Sequence, residues 1–217
     1  NIYFIDLLKE HPEYFNPEIS IGAVYGTFNG AIWNGGRVMK GPIDYDIVVP
    51  TIEAYNSRNI GIRYTWTNPC LQSIHLENPF CNYIMEMSNN PLNEVIVNTP
   101  VLEEYIRQKY QNVSFISSTT KCLTNKQDIL SELNKDYKLV VLDFRKNTDF
   151  EFLSSIQNKD KIELLINAYC GPNCGSRKEH YYQMGLAQLG LPFEEKNLQC
   201  DFVGDFCLAI TRPTFIK

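Results

Sequence analysis

The amino-acid sequence predicts a parallel β/α (TIM-like) barrel, complete or truncated, that forms a single domain over residues 1–217. Three observations lead to this fold class. Six short apolar runs alternate with segments of helical periodicity, and the residues that end these runs are polar. The first run is followed by a long glycine-containing loop that lacks the spacing of a phosphate-binding turn, which disfavours an open nucleotide-binding sheet.

The predicted strands are short runs of β-branched and apolar residues. They cover residues 21–28, 60–66, 93–98, 113–118, 138–143 and 162–167. Runs of this length between turn residues are typical of buried strands. Because a helix follows each strand, the connections are expected to be right-handed crossovers that build a parallel sheet. A closed barrel needs eight strands, so either "CDFVGDF" and "CLAITRPTFI" supply the remaining pieces or the barrel is open.

The helices between the strands are predicted from their start signals. A polar residue before a proline, as at Asn78 and Thr99, is typical of a helix N-terminus, where the missing proline N–H costs nothing. Three further starts have capping-box spacing: Thr124 with Gln127, Thr148 with Glu151, and Ser176 with Glu179. Pro50 must lie in the first turn of the helix that follows the first strand, or bend that helix.

Polar residues stand at the carboxyl ends of the predicted strands. They are Thr27, Thr67, Asn68, Asn98, Ser117, Ser118, Asp143 and Asn167. In a barrel these ends meet at one opening, which we call the mouth. We therefore expect the side chains at strand ends to share this mouth, in particular those of Asn98, Ser117, Asp143 and Asn167.

The composition limits the classes of partner. A formal net charge of -5 and a pI near 5.3 disfavour nucleic-acid binding as the main activity. No stretch approaches the roughly 18 apolar residues of a membrane span, and the start "NIYFIDLLKE" predicts a short helix rather than a signal peptide. Seven cysteines, an odd number in a chain of this size, favour a reducing cytoplasm. The substrate and the oligomeric state stay open.

Four cysteines near the carboxyl end of the chain form the clearest candidate metal site. Cys170 and Cys174 lie in a turn between a predicted strand and a helix, and two thiolates at this spacing can reach one metal centre. Cys200 and Cys207 extend the pattern to C-x3-C-x25-C-x6-C. Packing is the alternative, because free cysteine is often buried as a small apolar residue. The other three cysteines, Cys70, Cys81 and Cys122, are interpreted as packing residues.

Further candidates surround the expected mouth. Asp143 and His180 are the candidate catalytic residues, although Asp143 with Arg145 equally suits a structural ion pair and His180 an ordinary helix position. The candidate substrate-binding residues are Trp33, Arg37, Asn68, Asn98, Asn167 and Arg177. Trp33 and Arg37 belong to the loop at residues 26–41, which suits either a lid over a ligand or a plug for an unfinished barrel.

The stretch "ELLINAYCGPNCGSRKEH", residues 163–180, resembles the signature region of the collagenase-like peptidase family. That family includes ubiquinone-biosynthesis and RNA hydroxylation proteins, and "IWNGGR" and "NTPVLEEYIR" are similar to stretches in a bacterial branch. Asn167 stands where the family has histidine. The resemblance implies a β/α fold and, as in the hydroxylation proteins, an iron–sulfur cluster bound by Cys170, Cys174, Cys200 and Cys207.

Two functions compete on this basis. The first is an enzyme in which the cysteines hold an iron–sulfur cluster at the mouth and Asp143 and His180 contact the substrate. The second is a non-catalytic barrel that binds a ligand or partner, with structural cysteines or with zinc on Cys170, Cys174, Cys200 and either Cys207 or His180. The cysteine triad of a radical-SAM enzyme is absent, because position 177 is arginine.

Overall fold

The computed structural model describes residues 2–18, 20–168, 170, 174–193 and 209–210. Its centre is a six-stranded sheet in which every neighbouring pair is parallel and the strand order follows the sequence, β1 to β6. The strands are β1 (Ala23–Gly26), β2 (Gly61–Trp66), β3 (Glu94–Val97), β4 (Ser114–Ser117), β5 (Leu139–Val141) and β6 (Ile162–Glu163). All six lie inside the predicted runs. Because every neighbouring pair is parallel, the predicted parallel arrangement is confirmed.

Helices follow the strands as the sequence predicts. The helices are α1 (Ile2–Glu10), α2 (Val48–Asn56), α3 (Pro79–Ser88), α4 (Pro100–Lys109), α5 (Lys126–Leu133), α6 (Phe150–Ser155) and α7 (Arg177–Gln188). Pro50 lies in the first turn of α2, where its missing N–H costs no hydrogen bond. Within the described part of the chain, no helix is long and apolar enough to cross a bilayer.

None of the three predicted capping boxes forms: two caps lie one residue later, and Ser176, although it is the N-cap of α7, makes no side-chain capping hydrogen bond. Asn125 rather than Thr124 caps α5, and Asp149 rather than Thr148 caps α6, each by accepting a backbone N–H with its side chain. Asn78 caps α3 as predicted and accepts from the N–H of Cys81. The side-chain oxygen in each case satisfies a donor that the first helical turn leaves unpaired.

One face of the sheet packs against the helices and forms the main core. Ile62, Tyr64 and Trp66 alternate along β2 on this face and are buried. The indole N–H of Trp66 donates to the sulfur of Met85 at 3.0 Å. The Tyr64 hydroxyl lies 2.6 Å from that of Ser88, so both contacts join β2 to α3. A buried strand with helices on one side is typical of a β/α barrel wall.

The opposite face of the sheet is concave. Arg63 on β2 forms an ion pair with Glu163 on β6, although β3, β4 and β5 lie between them in the sheet. Tyr25 on β1 also hydrogen-bonds Glu163. Strands in a sheet are spaced about 4.8 Å apart, so side chains four strands apart touch only across a curled sheet. The six strands therefore form an incomplete parallel β/α barrel, which confirms the predicted fold class.

A small second sheet lies beyond β6. It pairs β7 (Asn167–Ala168) with β8 (Ala209–Ile210) in antiparallel register. The predicted strand at 162–167 therefore ends early in the main sheet, and Asn167 pairs elsewhere. Leu165 packs into a small apolar cluster on the concave face, with Ile96, Ile116 and Val141.

Candidate functional site

The carboxyl ends of β4 and β5 carry a buried ionic cluster. It consists of Asp143, Arg145 and Arg177, and we call it the arginine–aspartate cluster. Arg177 Nη1 donates to Asp143 Oδ2 at 2.7 Å, and Arg145 donates to both carboxylate oxygens, from Nε at 2.8 Å and Nη2 at 2.9 Å. The side chains of Asp143 and Arg177 are 0% and 3% exposed, and that of Arg145 is 30% exposed.

Local sequence explains how the cluster is positioned. Asp143 follows β5 directly and caps the short 3-10 turn Phe144–Lys146, accepting the backbone N–H of Arg145 at 3.0 Å. Arg177 is the first residue of α7, and its guanidinium stacks over the ring of Phe144 at 4.5 Å. Its Nε donates to the hydroxyl of Tyr181 at 3.0 Å, one turn along the helix.

The charges and hydrogen bonds of the cluster keep the side chain of Asp143 ionised. Burial alone would raise the pKa of Asp143, but hydrogen bonds from Arg145 and the charge of Arg177 outweigh it and hold the pKa below its usual range. Asp143 accepts four hydrogen bonds, which occupy its lone pairs. This geometry matches the structural ion pair that the sequence left as an alternative to a general base.

Hydroxyl and amide side chains extend the polar edge toward β3. Asn98 donates to Thr120 Oγ1 at 2.6 Å, and Thr120 Oγ1 lies 2.8 Å from Ser118 Oγ. Thr119 Oγ1 accepts from Arg177 Nη2 at 3.3 Å. A cavity of about 10 Å³, room for one water molecule, lies beside this edge and is lined by Ser117, Ser118, Thr119 and Asp143 and by apolar side chains such as those of Leu123 and Ile129. The structure thus brings Asn98, Asp143 and Arg177 to one mouth.

Ser117 does not share this mouth, so that expectation is wrong. Its hydroxyl donates to Glu132 Oε1 of α5 at 2.5 Å, on the helix side of the sheet. Successive side chains of a strand point to opposite faces, so the next polar residue, Ser118, takes the position expected for Ser117.

Two thiols, those of Cys170 and Cys122, lie within electrostatic range of the arginine–aspartate cluster, and Cys174 precedes Arg177 in the sequence. Cys170 is half-buried and acts electrostatically on both Arg145 and Tyr181. Cys174 is buried, three residues before Arg177. Cys122, interpreted from the sequence as a packing residue, is half-buried here; burial raises the pKa of its thiol, and Arg177 opposes this shift. No cysteine spacing connects Cys122 with Cys170, so nothing in the sequence indicates that Cys122 lies here.

The proposed four-cysteine set is only partly described. Cys200 and Cys207 lie outside the described residues. Within the described residues, no group of three or more histidine, cysteine, aspartate or glutamate side chains is placed to hold a metal ion. Metal binding by Cys170, Cys174, Cys200 and Cys207 therefore stays a prediction.

The loop at residues 26–41 packs onto the body of the protein. Trp33 is fully buried and its indole N–H donates to the carbonyl of His75 at 2.9 Å, so Trp33 forms core here rather than a ligand surface. Asn68 is also fully buried and binds the carbonyls of Ile32 and Gly185. This arrangement corresponds to the plug alternative.

The remaining candidates differ in accessibility. The side chain of Arg37 is exposed, and its carbonyl accepts from Asn34. His180 is half-buried in the first turns of α7, on the same helix as Arg177. Of Asn167, the structure describes the backbone, which pairs in β7. The proposed roles of Arg37, His180 and Asn167 stay predictions.

Comparisons with known proteins agree with the fold. No protein-family model matches the sequence, and no curated protein matches it. The solved structure of "the U32 Peptidase Mk0906" is similar, with a TM-score of 0.59 and 13% identity, over 95% of this chain and 85% of that chain. The chain therefore has a U32 peptidase-like β/α fold. This likeness supports the distant resemblance to the collagenase-like peptidase family that the sequence showed.

Proposed function

We propose that this protein is an enzyme of the peptidase-family type that binds its substrate at the carboxyl mouth of the partial barrel. The observation that carries the proposal is the arginine–aspartate cluster. Ion pairs buried this deeply cost desolvation, and buried charged groups with shifted pKa values often mark functional sites. The position also suits the proposal, because β/α barrels place their active sites at the carboxyl ends of the strands.

We further propose that Cys170, Cys174, Cys200 and Cys207 bind an iron–sulfur cluster at this mouth. The donor set is suitable, since thiolates are the usual ligands of such clusters. The surroundings of Cys170 also suit it, because Arg145 lies within electrostatic range and a thiolate-bound cluster is stabilised by nearby positive charge. When bound, the cluster would supply electron-transfer or Lewis-acid chemistry.

The residues of the chain have distinct roles in this proposal. Arg177 and Asp143 hold Arg145 at the mouth, and Asn98 with Ser118 and Thr120 offers hydrogen-bonding groups to a polar substrate. His180 is the proposed proton-transfer group, because it lies one turn along α7 from Arg177 and an imidazole can both accept and donate a proton. The proposed location is the cytoplasm, where reduced thiols persist.

Anaerobic purification tests the cofactor. We expect a brown protein that contains iron and acid-labile sulfide. The Cys174→Ser variant should contain less of both. Cys70→Ser is the matched control, because Cys70 is half-buried and donates only to the carbonyl of Tyr182, a bond that serine can replace. Equal iron in both variants would remove Cys174 from the ligand set.

Binding of zinc instead of iron would support the alternative function. A colourless protein with one zinc per chain, reduced in Cys174→Ser, would favour the non-catalytic binding barrel with Cys170, Cys174, Cys200 and either Cys207 or His180 as ligands. A protein without either metal would leave the cysteines as packing residues.

A further inference from the structure

We infer that the mouth recognises an oxyanion of the substrate, a carboxylate or a phosphate group, and that Arg145 makes the direct contact. The inference rests on the proposed function for the location of the substrate. It adds the chemical class of the substrate, which neither the fold nor the cysteines indicate.

The charge of the arginine–aspartate cluster is the first argument. Two guanidiniums face one carboxylate, so the side chains of the cluster carry a net charge of +1. Among the described residues, Asp143 is the one carboxylate that pairs with either arginine. Lys178 adds a further positive charge at this edge, where it acts on Cys122. A net charge in a largely buried site is costly unless a counter-ion binds there.

Two neighbouring titratable groups, Cys122 and Tyr181, do not supply that counter-ion at neutral pH. Burial raises the pKa of Cys122 and also that of Tyr181, so both groups are protonated and neutral there. Asp143 has no lone pair left for another donor.

The geometry of Arg145 is the second argument. Its Nε and Nη2 bind Asp143, which leaves Nη1 as the donor edge that makes no hydrogen bond to another described residue. The side chain is 30% exposed, whereas Arg177 is 3% exposed, so Arg145 is the arginine that a ligand can reach. Arg177 is then a positioning residue. It binds Asp143, and Asp143 in turn binds Nε and Nη2 of Arg145.

The guanidinium group of Arg145 indicates the ligand class. Guanidinium groups prefer carboxylate and phosphate because their paired N–H groups match two oxygens of such anions.

Binding of small oxyanions to the full chain tests the inference. The melting temperature is measured against inorganic phosphate and against acetate, with ionic strength held constant by chloride. We expect at least one oxyanion to raise it in a saturable way, since a ligand that binds only the folded state stabilises it. The anion that raises the melting temperature shows whether the site prefers phosphate or a carboxylate.

Variants locate the site. We expect Arg145→Gln to weaken the apparent affinity by about tenfold or more, because it removes a charge-assisted hydrogen bond, and Arg145→Lys to weaken it less, because lysine keeps the positive charge. Arg107→Gln is the control, since Arg107 binds Glu103 and Asp136 far from the mouth. Unchanged affinity in Arg145→Gln, or no response of the wild-type chain beyond that to chloride, would overturn the inference.

The same preparations separate this inference from the proposed function. Iron or zinc bound without any oxyanion response would reject only the oxyanion site. An oxyanion response that depends on Arg145, in a chain that binds no metal, would reject the metal centre and keep the oxyanion site.

Discussion

Gln188 near the end of α7 binds the backbone of Met39 with both ends of its amide. Oε1 accepts from Met39 N at 2.7 Å, and Nε2 donates to Met39 O at 3.2 Å. Nε2 also donates to the carbonyl of Ala31 at 3.0 Å. Buried backbone groups of a loop need such partners, so α7 holds the loop at residues 26–41 in place.

Gly185 is predicted to be required for the close packing of α7 against residues 68–70. A Cβ at this position would lie 2.5 Å from Asn68 Oδ1 and 2.9 Å from Cys70 Sγ. Gly185→Ala should therefore lower the free energy of unfolding by about 1–3 kcal/mol, although alanine favours helix. Urea denaturation measures the change. Gly22→Ala, with open space around it, is the control and should change stability little.

Asp143→Asn is predicted to destabilise the protein strongly. The substitution leaves Arg177 buried without its charge partner, and losing one member of a buried ion pair costs about 3–5 kcal/mol. Urea denaturation at neutral pH measures it. Asp136→Asn removes a fully exposed partner of Arg107 and should cost less than about 1 kcal/mol. Similar values for the two variants would contradict the energetic importance of the cluster.

Glu132 is predicted to make the folded protein less stable as the pH becomes acidic. Burial opposes its ionisation, but hydrogen bonds from Lys121, Lys135 and Ser117 lower its pKa from 4.5 to about 2. Because the folded pKa lies below the unfolded one, the stabilisation is complete above about pH 4.5 and is lost as pH falls toward 2.

The matching experiment compares unfolding free energies at pH 6 and pH 3. Glu132→Gln should lose less stability over this range than the wild type, by an amount on the order of 1–2 kcal/mol. Glu104→Gln, at an exposed position, should behave like the wild type. Parallel losses in all three proteins would show that Glu132 contributes no acid sensitivity.

Glu163→Gln is predicted to loosen the two outer strands of the sheet. The side chain of Glu163 on β6 binds both Tyr25 on β1 and Arg63 on β2, and the substitution weakens these bonds by removing the charge. Amide hydrogen exchange in β1 and β6 should become about tenfold faster, with β3 and β4 unaffected. Glu151→Gln, exposed on α6, is the control. Uniform acceleration in all strands would instead indicate global destabilisation.

Much of the fold follows from local sequence patterns. Strand and helix order come from periodicity, and alternating crossovers leave few topologies other than a parallel sheet. Caps were harder to predict: Thr124 and Asn125 are both good capping residues, and only the backbone geometry decides that Asn125 binds the helix.

The site was predictable only in part. Asp143 and Arg177 stood out as polar residues at the end of a strand and the start of a helix. Their contact joins positions 34 residues apart, which no local pattern encodes. Ser117 was placed on the wrong face because a one-residue difference in strand end reverses side-chain direction. Trp33 lies in a glycine-containing loop, and its burial depends on contacts such as that with His75.

The order of strands in the sheet has a consequence for how the chain assembles during synthesis. Each strand pairs with the one made just before it, so the sheet can grow from the amino terminus as the chain emerges. The contact of Gln188 with Met39 spans 149 residues and must wait for α7. Arg177 belongs to the same helix, so the arginine–aspartate cluster also forms only once α7 has been made. A nascent chain that stops before α7 would carry all six strands but not this cluster.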